Sequence, residues 1–147
     1  MKFQYPENLR FTCLKCGLCC GDTRRRKRHI LLLRIEVERI SALKGRQISD
    51  FAKKVWHKFP YVFEMRKLRE SGKCVFLKDN ECTIYSERPI ICRFYPFEMR
   101  ELETGTLVFR HTDECPGIGK GDLLFADYFH KLFQLAITSA KIEGRSA

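Results

Sequence analysis

Four of the chain's eight cysteines fall within the stretch CLKCGLCC, at Cys13, Cys16, Cys19 and Cys20. Core packing gives no reason to crowd thiols in this way, and metal coordination does. A C-x-x-C turn sets two sulfurs on one side of a tight knuckle, where both reach a single ion at about 2.3 Å. Gly17 directly follows Cys16 and suits such a turn, because glycine takes φ > 0 without strain. Cys13, Cys16 and Cys19 form a C-x2-C-x2-C series, the spacing of bacterial ferredoxin clusters, although those supply their remaining ligand and a following proline differently. Adjacent side chains diverge, so Cys19 and Cys20 are expected to serve two metals or to leave one thiol behind the ligand shell, with Cys20 the expected spare. That spacing points to a polynuclear cluster or to two sites. The other four cysteines, Cys74, Cys82, Cys92 and Cys115, lie near turn signals or element ends: Gly72 precedes Cys74, Asp79 and Asn80 precede Cys82, and Pro116 and Gly117 follow Cys115. One zinc ion or one cubane cluster takes four thiolates, so four ligands are expected from the first loop and four from the later ones. For any single cysteine the alternative is a buried small hydrophobe.

The elements that must hold these loops are modest. The chain has 147 residues, 44% of them apolar and 12 of them Phe, which suits one α+β domain spanning 1–147 with a single small core. Ile35 to Leu43 carries apolar residues at helical spacing until Gly45 stops it, after a short buried strand in HILLL (His29 to Leu33). Ser49 is the expected N-cap of a second helix, ISDFAKKVWH, between Ile48 and Pro60. YVFEMRKL reads as a strand, with Tyr61, Phe63 and Met65 on one face. EMRELETGTLVFRH alternates on both sides of Thr104 and Gly105, a β-hairpin signal. A last helix is expected from about Asp122 to Lys141, its apolar stripe wide enough to touch more than one neighbour. The expected architecture is thus a β-hairpin, three or so helices, and cysteine-bearing loops around a metal site.

Charge adds a second theme. The chain has 28 Lys+Arg against 18 Asp+Glu, a formal +10 that counts every thiol as neutral. Two four-thiolate sites holding divalent ions would carry about −2 each and bring the total to about +6. Arg24, Arg25, Arg26, Lys27 and Arg28 form the densest basic run, a candidate anion-binding patch whose plain alternative is a solvated face. An anionic partner, nucleic acid included, or an unknown protein fits this balance. The chain has no apolar run of 18 residues and no signal-peptide pattern at MKFQYPENLR, so a cytoplasmic protein with no membrane partner is expected. In a reducing compartment, cysteines are metal ligands or reactive thiols more often than disulfides. Enzymatic signatures are thin: no phosphate loop, no nucleophile elbow, no H-E-x-x-H, and no ligand spacing among His29, His57, His111 and His130. His111, four residues before Cys115, is the histidine placed to replace a thiol ligand.

FTCLKCGLCC, then CVFL, then CTIYSERPIICRFYP together resemble the YkgJ-like cysteine-cluster proteins, zinc- or iron-chelating domains with a CxxCxxCC signature. The resemblance runs from Phe11 to about Cys115, and the flagellin lysine methylases look like larger relatives. It implies metal binding; through those larger relatives it implies an iron-sulfur cluster and methyl transfer. On the residues themselves, Arg88 and Arg93 are candidates to oppose the charge of a four-thiolate site and donate N–H groups to sulfur. The alternative pairs them with Glu87 and Glu98. The functional expectation is a cysteine-ligated protein carrying a [4Fe-4S] cluster with a redox or methyl-transfer-related role. The alternative is a zinc-stabilised module that binds RNA or an acidic protein.

Overall fold

The structure, a computed structural model, describes residues 2–146, with side chains described through residue 139. In chain order it contains β1 (Phe3–Gln4), β2 (Arg10–Phe11), a 3-10 turn (Leu18–Cys20), β3 (Leu31–Leu32), α1 (Arg34–Lys44), α2 (Ile48–Phe51), β4 (Ala52–Lys54) and β5 (Phe63–Met65). There follow β6 (Leu77–Lys78), β7 (Glu81–Cys82), a second 3-10 turn (Tyr85–Glu87), α3 (Ile90–Phe94), β8 (Phe97–Glu101), β9 (Leu107–His111), β10 (Ile118–Leu123) and α4 (Ala126–Ser146). The expected α+β mixture holds, with strands gathered into small sheets.

Helix α1 forms where the 3.6-residue spacing demands it, burying Val37 and Ile40. Glu36 fastens its start: one carboxylate oxygen accepts the Leu33 N–H at 2.9 Å, and the other reaches across to accept Ile90 N–H at 2.6 Å. Gly45, in the left-handed conformation, ends the helix. The second predicted helix is much shorter than the pattern suggested. It stops at Phe51, and Ala52–Lys54 turn into a strand paired with Phe63–Met65. Tertiary pairing decides this, since Phe51 and Ala52 are buried only by laying β4 along β5. The expected hairpin is present as β8 and β9, from Phe97↔His111 to Glu101↔Leu107, and β1 joins it in parallel on the far side. The last helix starts later than expected because Asp122 and Leu123 belong to β10, where Leu123 pairs with Arg10 of β2.

Two apolar clusters result. The first gathers Leu32, Val37, Ile40, Phe51, Phe63, Phe76 and Ile84 beneath the β3–β5–β4 sheet. The second is aromatic, with Phe97, Phe109 and Phe129 packed at ring distances of 5.2 Å and flanked by Phe3, Tyr5 and Phe11. Helix α3 spans the seam, since Cys92 packs on the first cluster and Phe94 on the second. The cysteines collect at that seam.

Candidate metal centre

The first cysteine loop is shaped by Gly17, which enters the 3-10 turn at φ +79° and accepts the Cys20 N–H at 3.1 Å. A Cβ there would lie 2.5 Å from Asn80 Oδ1, so only glycine lets this knuckle close on the β6–β7 turn that presents Cys82. On the other flank, Gly117 presses against the backbone of Thr12 and accepts its N–H at 3.2 Å, which docks the Cys115 loop beside Cys13. Cys74 N–H donates to the Cys20 carbonyl at 2.5 Å. Arg28 ties the loop to α3, donating from Nε to Cys19 O at 3.1 Å and from Nη2 to Ile91 O at 3.5 Å. Backbone contacts of high sequence separation therefore bring five segments together.

All eight cysteines are free thiols, and each lines one of two adjoining cavities. The larger, about 270 Å³, is walled by Cys13, Cys19, Cys20, Cys74, Cys82 and Cys92. The smaller, about 210 Å³, is walled by Cys13, Cys16, Cys19, Cys92 and Cys115. The expected split of four early and four late cysteines gives way to an interleaved arrangement in which Cys13, Cys19 and Cys92 face both spaces. Cys19 and Cys20 do not diverge either, their sulfurs lying 3.9 Å apart. In a 3-10 turn successive side chains rotate by about 120°, against about 180° along a strand, so neighbours can share a side. Among the described residues, no three His, Cys, Asp or Glu side chains are drawn together at the spacing of one ion.

Protonation inside the site is uneven. The Cys20 sulfur lies 3.9 Å from that of Cys19, and hydrogen bonding to its thiol neighbours, together with burial, pushes the Cys20 thiol upward. Accepting from Cys20 brings Cys19 down to about 6 against the opposing effect of burial, with the Arg28 charge helping. The neighbouring Cys20 thiol also brings Cys82 down to about 6, again against burial, with smaller help from Arg88. Burial pushes Cys74 up to about 11 and Cys92 up to about 12, and it raises Cys115 as well. A cation entering the site therefore displaces protons from buried thiols that otherwise stay neutral.

The basic run does not form one patch. Thr23 and Arg26 exchange backbone hydrogen bonds in a turn, at 2.8 and 3.4 Å, after which Arg26 and Arg28 point inward onto the Tyr95 ring at 5.6 and 5.2 Å. Arg24, Arg25 and Lys27 are exposed, and Arg25 approaches Glu114 at 4.0 Å. Arg26 Nε and Nη2 and the Tyr95 hydroxyl are the buried side-chain polar atoms without a hydrogen-bond partner among the described residues. Tyr95 lines the smaller cavity beside Cys115, and burial holds its hydroxyl in the protonated, donating form. An orphaned Tyr95 hydroxyl at the wall of a thiol-lined cavity is what an anionic thiolate centre requires beside it, so the residues present fit a bound metal.

Arg88 and Arg93 stand nearby. Arg88 lies over the Tyr85 ring at 3.9 Å, donates to Tyr85 O at 3.1 Å and borders both cavities. Arg93 borders the smaller one and bonds Arg88 O at 2.9 Å and Ser86 O at 3.3 Å, which stiffens the loop before Cys92. Glu98 pairs with Arg100 at 3.4 Å rather than with either arginine. His111 bonds Thr112 O at 3.2 Å and meets Phe97 edge-on, away from both cavities. Sequence reasoning missed the inward pair Arg26 and Arg28. Their spacing of two residues in an extended segment, with a Tyr-Pro following the last motif cysteine, was the available signal.

Fold and site define a small α+β protein built around a cysteine cluster. The chain belongs to the CxxCxxCC family, described as "Putative zinc- or iron-chelating domain", which it matches over residues 12–116. The family description makes zinc or iron chelation the expected character of this domain. The chain is also similar to the uncharacterized protein MJ0661 of Methanocaldococcus jannaschii, 26% identical over 140 residues, covering 90% of this chain and 71% of that relative. No solved structure matches it. Among the described residues, no helix is long and apolar enough to cross a membrane.

Proposed function

We propose that the larger cavity holds a [4Fe-4S] cluster on thiolates drawn from Cys19, Cys20, Cys74, Cys82 and Cys92, and that the protein works in electron transfer or methyl-transfer-related chemistry. The observation that carries this reading is the space itself. At about 270 Å³ and walled by six cysteines, it has room for a polynuclear group. When bound, such a cluster supplies one-electron redox capacity at a potential set by its charge, burial and hydrogen bonds. The chain's own residues do the rest. Cys20 gives up the proton it shares with Cys19, Arg88 at the cavity wall sets a cation against the thiolate charge, and Arg28 holds the Cys19 segment to α3.

One observation favours zinc as a second reading. Two thiolates on one tetrahedral ion at 2.3 Å stand about 3.8 Å apart, close to the 3.9 Å between Cys19 and Cys20. Anaerobic purification followed by absorption spectroscopy and assays of iron, acid-labile sulfide and zinc separates the two. Brown protein with matching iron and sulfide, bleached by dithionite, supports the cluster. Colourless protein with stoichiometric zinc overturns it in favour of the second reading.

A further inference from the structure

The loop between β4 and β5, residues 55–62, carries the chain's single tryptophan, Trp56, at 72% exposure, and Phe59 at 73%. Rings this far out of a fold forgo burial and mark a contact surface. Exposure near three quarters leaves most of each residue available to a flat partner. Lys54, His57 and Lys58 are exposed around them, and no Asp or Glu occurs from Phe51 to Phe63. Glu64 engages Lys53 at 3.4 Å, whereas Lys54 and Lys58 enter no ion pair among the described residues.

A second group of exposed cations, Arg24 and Lys27, lies at the opposite end of the same sheet. β3 leaves the basic run and ends with Leu32 opposite Phe63, the residue at which the aromatic loop returns to the sheet. The strands separate the two groups by roughly 10 Å of rise. A flexible polyanion with stackable rings can run along the sheet and meet both.

We propose that this loop binds single-stranded nucleic acid, with Trp56 and Phe59 stacking on bases and Lys54 and Lys58 meeting phosphates. The inference is independent of which metal fills the cysteine site. Base stacking on an aromatic side chain tolerates any sequence, so binding is salt-sensitive and largely sequence-blind.

The test titrates the metal-loaded 147-residue chain with a short oligouridylate while following tryptophan emission, which in this chain reports on Trp56 alone. Saturable quenching is expected. Trp56→Ala should weaken binding of a labelled oligouridylate about 5- to 150-fold without changing its salt dependence, and Trp56→Phe should restore most of it. The Lys54→Ala, Lys58→Ala double variant should lower the slope of log affinity against log salt by about 1.4. These side chains are exposed, so circular dichroism should show the fold intact in each variant. No binding at low salt, a Trp56→Ala variant that binds as tightly as the parent, or a blue shift on phosphatidylserine vesicles with no response to oligouridylate would overturn the proposal.

Discussion

Replacing Arg26 by methionine should change stability in opposite directions with and without metal. Arg26 is half-buried, with guanidinium Nε and Nη2 buried and unpartnered and the Tyr95 ring 5.6 Å away. An unpaired buried cation costs several kcal/mol, of which a cation–π contact returns about 0.5–2 kcal/mol. The metal-free protein should therefore gain about 1–3 kcal/mol from Arg26→Met, and for a chain of this size each kcal/mol raises the thermal midpoint by about 2–4 °C. The loaded centre, walled on this side by Tyr95, would offer the same guanidinium an anionic neighbour to pair with. Removing hydrogen bonds to a charged group costs about 1.5–3 kcal/mol, and metal affinity should fall about 10- to 100-fold. The assay is paired differential scanning calorimetry on loaded and chelator-stripped protein, with metal affinity by competition. A shift of the same sign and size in both states would refute the reasoning, because Arg26 would then be a structural side chain indifferent to the centre.

Three further outcomes are expected. Gly17→Ala places a Cβ 2.5 Å from Asn80 Oδ1 at φ +79°, so it should cost about 1–2 kcal/mol in backbone strain alone and cut metal content per chain, measured by mass spectrometry of the metals. Cys20→Ser should lower metal occupancy at least as much as Cys16→Ser, because Cys20 faces the larger cavity with its sulfur 3.9 Å from that of Cys19; full occupancy would return Cys20 to the role of a spare. Burial lifts the Glu36 carboxyl above the usual range despite the bonds it accepts from Leu33 and Ile90. The folded chain then holds that proton to higher pH than the unfolded one, so the stability this group confers is full below the ordinary carboxylate pKa and is lost as pH rises through the raised value. Denaturant midpoints across mildly acidic pH should fall in the parent and flatten in Glu36→Gln; equal slopes would contradict this.

What the sequence disclosed follows from how local each signal is. Helix α1 and the β8–β9 hairpin are written in nearest-neighbour pattern, an apolar repeat closed by Gly45 and an alternation folded at Gly105, and both form where expected. The second helix failed because AKK is indifferent to its state, and only the presence of β5 alongside makes it a strand. The cysteines were legible as a group through spacing alone. Their sorting into cavities was not, since it depends on contacts such as Gly17 with Asn80 and Gly117 with Thr12, which join residues far apart in the chain. The basic run misled for a related reason. Charge is visible in sequence, whereas the turn at Thr23–Arg26 that sends alternate arginines onto Tyr95 is a property of the fold.

The most direct measurement of the central claim, that thiols from both halves of the chain build one metal centre at the seam of the two apolar clusters, is X-ray absorption at the bound metal's edge. An all-sulfur shell near 2.3 Å is predicted, with a short metal–metal scattering path for the cluster and none for zinc. A shell dominated by nitrogen or oxygen would contradict the account, whichever metal is present.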